Sequence, residues 1–269
     1  MPKRKLLLVI ATSFVIIGMV GVLFTYKTSG AGEEISQTEA IHNPDITEIS
    51  VESTNATIEV MPTNEDQITV EFTATESKYN KYKLEIEEEG ESLSIELDEK
   101  TLQFLSFDFD FDFSGPKIKV YLPEKQYEDL EIDVVNGKID VEGITVDEVE
   151  VNTINGRIVL KELETKSTTV SSENGGITIE NVNGRITSDV VNGGTTLITN
   201  HLDRFIDLES VNGKITVQTA QEPTNATIEV SVVNGKVNLF GNDSRSAVIG
   251  DGENKINLKT VNGSITVGK

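Results

Sequence analysis

No cysteine occurs among the 269 residues. That excludes a disulfide framework, a thiol nucleophile and a thiolate metal centre, so the fold is held by its core alone. Tryptophan is absent and only five tyrosines occur, which leaves little for sugar recognition by aromatic stacking. The two histidines, His42 and His201, are too few and too scattered for a zinc site or a Ser-His-Asp constellation. No Gly-x-Ser-x-Gly elbow appears. After the first 27 residues no stretch keeps apolar residues at i, i+3, i+4 and i+7 for three turns, so no helix is predicted there. A glycine-rich phosphate loop that opens a helix is excluded with it.

Positive charge is also scarce. The chain has 23 Lys+Arg against 45 Asp+Glu, a net of −22. Lys3, Arg4, Lys5 and Lys27 precede every acid in the chain, so residues 28–269 hold 19 basic and 45 acidic residues, a net of −26. Such a surface repels nucleic acid and anionic lipid and keeps a domain in solution. It also suits cations or basic peptides.

The one long apolar run is Leu6–Tyr26, uncharged and flanked by the basic residues just named. At ~1.5 Å per residue a helix of that length spans about 31 Å, the hydrocarbon thickness of a bilayer. A cleaved signal peptide has a shorter apolar core and a small-residue cleavage site; Ser29-Gly30-Ala31-Gly32 fits that pattern poorly. An uncleaved transmembrane anchor is therefore expected over 6–26. Residues 1–5 are then cytoplasmic by the positive-inside rule, 27–44 a polar linker, and 45–269 an extracytoplasmic domain at the cell membrane.

From Asp45 onward the pattern alternates, as in Ile68-Thr69-Val70-Glu71-Phe72 and Leu93-Ser94-Ile95-Glu96-Leu97. This is the mark of strands with one buried face. After residue 135, Asn-Gly recurs eight times, at Asn136, Asn155, Asn174, Asn183, Asn192, Asn212, Asn234 and Asn262. The steps are 19, 19, 9, 9, 20, 22 and 28 residues. The two nines make one period with Asn183 at its midpoint, and Glu253-Asn254-Lys255-Ile256 reads as a degenerate copy within the last gap. An antiparallel meander or sandwich would use Asn-Gly as hairpin turns. A β-solenoid of ~20-residue coils explains more, because stacked coils need the same residue at the same place. The class expected is all-β, a β-solenoid or β-helix-like repeat domain after one N-terminal transmembrane helix. Val or Ile on both sides of each turn is read as facing inward, Asn-Gly as a sharp turn whose residues tolerate positive φ, and the aligned asparagines as a side-chain ladder. Thr54–Val60 and Thr224–Val230 are the same seven residues and argue for one continuous unit-built fold.

An N-terminal anchor, strands ending in Ile118-Lys119-Val120-Tyr121-Leu122-Pro123, then Tyr127-Glu128-Asp129-Leu130-Glu131-Ile132 and a run of Val-Asn-Gly-Lys-Ile units resemble the bacterial "putative adhesin" β-strand-repeat family. That is a domain of unknown function which includes LiaG-type membrane-anchored envelope proteins. The resemblance covers about residues 45–269. It implies a β-helix-like, envelope-facing domain and supplies no catalytic residues.

Other candidate chemistry is thin. Phe107-Asp108-Phe109-Asp110-Phe111-Asp112-Phe113 places four Phe on one strand face and three Asp on the other. It reads as a buried Phe row, or else as a weak Ca²⁺ site or a sticky patch. Glu85, Glu87, Glu88, Glu89 and Glu91 surround Gly90 in an apparent hairpin. Lys138, Arg157, Arg185, Lys214 and Lys236 follow Asn-Gly pairs and could form a basic strip that protects an edge. No catalytic residue, metal site or cofactor is expected. The reading is a non-enzymatic interaction surface in the bacterial envelope, in adhesion or envelope stress. Its partners would be the membrane through the N-terminal helix, an envelope protein or wall polymer, and a second copy or partner over Ile265–Lys269; nucleic acid is not among them. The alternatives are a carbohydrate-active β-helix enzyme on wall polymers and a cation-dependent binding module.

Overall fold

The computed structural model describes residues 32–76, 80–101 and 115–269. The expected anchor and the Phe107–Phe113 segment lie outside the described residues. All regular structure described is strand, in one sheet. Strands β1 (Glu33–Ile41), β2 (Glu48–Asn55), β3 (Thr57–Thr63), β4 (Ile68–Glu76), β5 (Asn80–Glu89), β6 (Ser92–Thr101) and β7 (Lys117–Pro123) come first. The long β8 (Gln126–Glu142) and β9 (Thr145–Lys161) each run through an Asn-Gly corner. Next come β10 (Ser167–Asn174), β11 (Ile177–Glu180), β12 (Arg185–Asn192), β13 (Thr195–Thr199), β14 (Ile206–Asn212) and β15 (Ile215–Thr219). The chain closes with β16 (Ala226–Asn234), β17 (Val237–Leu239), β18 (Ser246–Ile249), β19 (Asn254–Asn262) and β20 (Ile265–Gly268).

Each coil has an arm before the corner and an arm after it. The first arms stack parallel in the order β6, β2, β8, β9, β10, β12, β14, β19, β16. The second arms stack as β7, β3, β8, β9, β11, β13, β15, β20, β17. This is the expected solenoid, not a meander. Alternation turns every second side chain inward, and register then lines like residues into columns. One column runs Ile58, Ile139, Ile158, Ile177, Thr195, Ile215, Ile265, Val237. Burial of each such Ile contributes about 1.5–3 kcal/mol, and the columns join into a single core.

The corner holds two further columns. Asn136 donates Nδ2–H to Asn55 Oδ1 at 2.8 Å, and Asn155, Asn174, Asn192, Asn212, Asn262 and Asn234 continue the relay at 2.8–3.0 Å. At the far end Asn55 donates to Glu99 Oε2 at 2.5 Å, so the relay of amide donors ends on a carboxylate. The expected ladder therefore forms, and it includes Asn55, which no Gly follows. Behind it lies a glycine column. A Cβ on Gly156 would sit 1.7 Å from the Gly137 carbonyl oxygen, and one on Gly175 would sit 1.6 Å from that of Gly156. The same holds up the stack, with the Ala56 oxygen at the base of the column. The reading that these glycines serve positive φ is corrected. Of the column only Gly193 has positive φ (155°), and no ladder Asn does; what the site demands is close approach of backbone to backbone. Gly184, at φ 81°, is a true turn glycine. Its Asn183 binds Glu164 on the other side of the coil, as its midpoint spacing predicts.

Chain order and stacking order part company at both ends. β2 and β3 lie between β8 and the pair β6/β7, although β6 and β7 come later in the chain. Likewise β19 and β20 insert beneath β16 and β17. The last strand is therefore paired on both sides, and the expectation that Ile265–Lys269 stays open to a partner is corrected. Antiparallel strands close the ends, with β4, β1 and β5 at one and β18 at the other. Three smaller readings change with this. Asn254 lies opposite Ala226 and is not a corner copy. Asn55 is in the ladder whereas Asn225 binds Glu253, so the two identical heptads fill different places in a coil. Glu33–Ile41, in the expected linker, is β1, whose pairing to β4 is backbone-driven since only Ile41 is buried.

Replacing Gly156 with Ala must push two coils apart in mid-stack. It is expected to destabilise by about 3 kcal/mol or more, whereas Gly268→Ala, where a methyl meets nothing within 4 Å, should stay within about 0.5 kcal/mol. Urea unfolding of the two variants checks this, and equal midpoints would refute the column.

Candidate functional site

The corner geometry creates a surface feature. Val134 faces inward, Gly137 approaches the next coil, and the two residues between, Val135 and Asn136, both face out. The residue before each ladder Asn therefore stands proud as a ridge. It is Val135, Ile154, Val191 or Val211 in the central coils, 36%, 41%, 45% and 43% exposed. The expectation that apolar residues flank the turn inwardly on both sides is corrected: those after the turn are buried, those directly before it are not. Counting parity from Leu130 and Ile132 would have found this, because two outward positions in succession break the alternation.

Between this ridge and the outer face of the first arms runs a groove of about 620 Å³. Its second bank is the outward column Glu96, Glu52, Asp133, Asn152, Ser171, Asp189, Glu209 and Lys259. Eight coils at ~4.8 Å spacing make it about 34 Å long. One bank is thus apolar and the other acidic. The central coil reverses the roles, with uncharged Ser171 on the acidic bank and Glu173 on the apolar one.

The acidic bank belongs to a wider acidic face. Burial raises Asp189 above the ordinary carboxylate range, and Glu209 and Asp207 raise it further. Burial likewise raises Asp129, with Glu148, Glu48 and Glu150 adding to it. Glu131 is raised by burial, then by Asp133, Glu150, Asp129 and Glu52. Asp207 is raised by burial and Glu209, against Asn257 and Lys259. Lys259, 3.1 Å from Glu209, answers part of this charge at one end. Stacking forces the crowding, since an acid at one coil position finds the next coil's acid directly above it.

Elsewhere charged groups act locally. Burial opposes the ionised form of Asp203, but hydrogen bonds from the Asn225 and Thr224 amides and the Thr224 hydroxyl outweigh it and hold its carboxyl below the usual range. Arg204 is buried and pushed down to about 10 by that burial. It donates Nη2–H to Thr199 Oγ1 at 3.0 Å, while Nε and Nη1 meet no acceptor among the described residues.

The remaining sequence candidates do not converge. His42 and His201 are both exposed. Glu85–Glu91 form the expected β5–β6 hairpin with Gly90 at φ 65°. The basic strip is broken: Lys138 and Arg157 are neighbours, but Gly176 and Gly194 occupy that place in the next coils, and Arg185 lies elsewhere, its guanidinium 4.2 Å from the Phe205 ring centre. Lys138, Arg157 and Lys214 sit in mid-sheet, so edge protection does not describe them, whereas Lys236 precedes the edge strand β17. Among the described residues no three His, Asp or Glu are grouped to hold a metal ion.

The model of the family Toastrack DUF4097 matches residues 46–185 and, overlapping, 137–268. Solved structures similar to this chain include a "putative lipid binding protein" of Parabacteroides distasonis, at 16% identity, TM-score 0.47, covering 88% of this chain and 98% of that one. Others are a "putative adhesin" of Bacteroides fragilis, at 11%, 0.43, 87% and 96%, and a "putative cell adhesion protein" of Clostridium sporogenes, at 14%, 0.40, 87% and 99%. No curated protein matches the chain.

The raised carboxylates fix the sign of a pH response. In the folded state they bind more protons than in the unfolded state between the ordinary carboxylate range and their raised values, so stability falls as pH rises through that window. The melting temperature is expected to rise from pH 7.5 towards about pH 5. Below about pH 4, where unfolded carboxylates protonate too, this gain is complete and levels off, and only the contribution of Asp203, lowered in the folded state, is lost. Added salt at pH 7.5 should raise it as well by screening the acidic face. Melting that is flat or falls on mild acidification would remove the charge-crowding account.

Proposed function

The chain belongs to the Toastrack DUF4097 family, and on that premise we propose that it is a non-enzymatic interaction module of the bacterial envelope. Its N-terminal helix anchors it in the cell membrane, and the solenoid stands outside. The observation that carries this is the groove, a continuous surface spanning eight coils in which each coil contributes one residue to each bank. A site built by repetition suits an elongated occupant lying along the stack axis, a partner segment rather than a small substrate. Anchoring rests on the apolar run 6–26 and its basic flank.

The carboxylates of the groove argue in the same direction. Glycoside hydrolysis needs two carboxyl groups facing each other across the scissile bond, about 5–9 Å apart. Here Asp133, Asp189 and Glu209 stand in one column on one bank, and Glu173 on the other bank faces uncharged Ser171 in its own coil.

Two measurements test the proposal. Because the chain has no cysteine, Val248→Cys gives a single thiol at a position 71% exposed. In intact cells a membrane-impermeant maleimide is expected to label it; labelling only after lysis would place the domain inside and end the envelope reading. Separately, full-length protein in neutral-lipid nanodiscs is expected to bind envelope material (wall sacculi or vesicles of envelope lipid and protein) saturably. Ile154→Asp or Val211→Asp should weaken this binding about tenfold, as loss of an anchor worth about 1.4 kcal/mol would. Binding indifferent to both variants would show that the groove is not the interaction surface.

A further inference from the structure

The groove's two banks differ in chemistry, and that difference specifies what fits between them. An extended polypeptide projects successive side chains to opposite sides, with a period of two. Laid along the groove, it sends every second side chain to the acidic bank and the others to the apolar ridge. We infer that the occupant is an extended segment of a partner protein, about ten residues long, in which lysine or arginine alternates with apolar residues. This rests on the interaction-module reading above and names its partner.

Charge complementarity carries the choice. Asp133, Asp189 and Glu209 line one bank, and burial together with like-charged neighbours raises Asp189, so a cation placed there relieves existing repulsion. Lysine and arginine also suit a bank beside an apolar ridge, because their methylene stems lie along apolar surface while the charged head reaches the carboxylate. Nucleic acid, anionic lipid and phosphate-rich polymers are repelled by the same bank. Val135, Ile154 and Val211 on the opposite ridge are exposed and give the alternate residues an apolar contact that a purely ionic ligand would leave unused.

The central coil sets the register. Glu173 interrupts the apolar ridge between Ile154 and Val191, and Ser171 opposite it carries no charge. The segment that fits must therefore carry one cationic residue out of phase near its middle, on the side otherwise apolar. A strictly alternating peptide leaves Glu173 against an apolar side chain. The groove thus reads a pattern and not merely a net charge.

The test uses full-length protein in neutral-lipid nanodiscs and fluorescent twelve-residue peptides. These are an alternating Lys/Leu sequence with one additional Lys out of phase at its centre, a strictly alternating one, a block-ordered sequence of identical composition, and a Glu-for-Lys counterpart. The out-of-phase peptide is expected to bind at least tenfold tighter than the block-ordered one. It should weaken at least tenfold between 50 and 500 mM salt, and again on Ile154→Asp or on joint Asp189→Lys and Glu209→Lys. Val248→Asp, away from the groove, should leave it unchanged and controls for folding. Glu173→Val should reverse the preference in favour of the strictly alternating peptide.

Equal binding of the block-ordered peptide, or binding unaffected by both groove variants, overturns the inference. If envelope material still binds in a groove-dependent way while no basic peptide does, the interaction module stands and its partner is of another class, a neutral wall glycan first. If envelope binding ignores the groove variants, the functional reading fails and the inference falls with it.

Discussion

Everything in this fold depends on how closely one coil's backbone lies on the next at the corner. The carbonyl oxygen of one column residue occupies the space where the next coil's Cβ would be. The glycine hydrogen that replaces the side chain points at that oxygen, a geometry suited to a weak Cα–H···O contact. Glycine is used here for its size and only in second place for its conformational freedom. With the corner pinned, strand register has no freedom, and a slip by one residue would turn every inward Ile and Val to solvent. The asparagine beside each glycine then finds its copy at hydrogen-bonding distance. Each amide donates to one coil and accepts from another, so the ladder satisfies in sequence what a lone exposed Asn would give to water.

The groove is a by-product of the same corner. Turning the chain between inward Val134 and close-packed Gly137 leaves two consecutive residues outside. One is the ladder Asn; the other has no structural task in the stack. That this freed position is Val or Ile in the central coils, on a chain with a net charge of −22, calls for an explanation outside the core. A protein whose only requirement was solubility would place Lys, Glu or Thr there, as it does at Thr54 and Glu173. An exposed apolar row of this kind marks an interaction surface, and stacking joins it into two stretches, Val135 with Ile154 and Val191 with Val211, on either side of Glu173.

Much of the fold was legible in the sequence because a solenoid writes its structure as repetition. Period, arm alternation, the buried column after the turn and the asparagine ladder all follow from spacing and parity. What stayed hidden depends on contacts between residues remote in the chain. The 28-residue step before Asn262 suggested a missing copy near Asn254, but that stretch instead carries the excursion through β18 that lets β19 and β20 slip beneath β16 and β17. Spacing cannot distinguish a skipped corner from a detour. The identical heptads at Thr54 and Thr224 do belong to one continuous fold, but an alternating seven-residue phrase suits either arm, and its place is set by the strands above and below it. The ridge was missed because Val before the turn and Ile after it look symmetrical until inward positions are counted across the corner.

The exchange of coil order at the two ends solves a difficulty that every solenoid faces. A terminal coil has one unpaired edge, and a terminal strand at that edge could fray from its free end. Near the C-terminus the chain travels outward first and returns inside, so the last strand is not an edge, while at the other end β1 and β5 are outermost. β20 is flanked by β15 and β17, and opening it means parting pairings on both sides instead of peeling one. At the other end β2 and β3 are held in the same way while β4, β5 and β1 run antiparallel beyond them. Antiparallel edges also present a hydrogen-bond pattern that differs from the parallel one inside the stack; they cover β6, β7 and β16, while β17 pairs with β20 alone. The long side, where the groove lies, is the surface that coil after coil builds together.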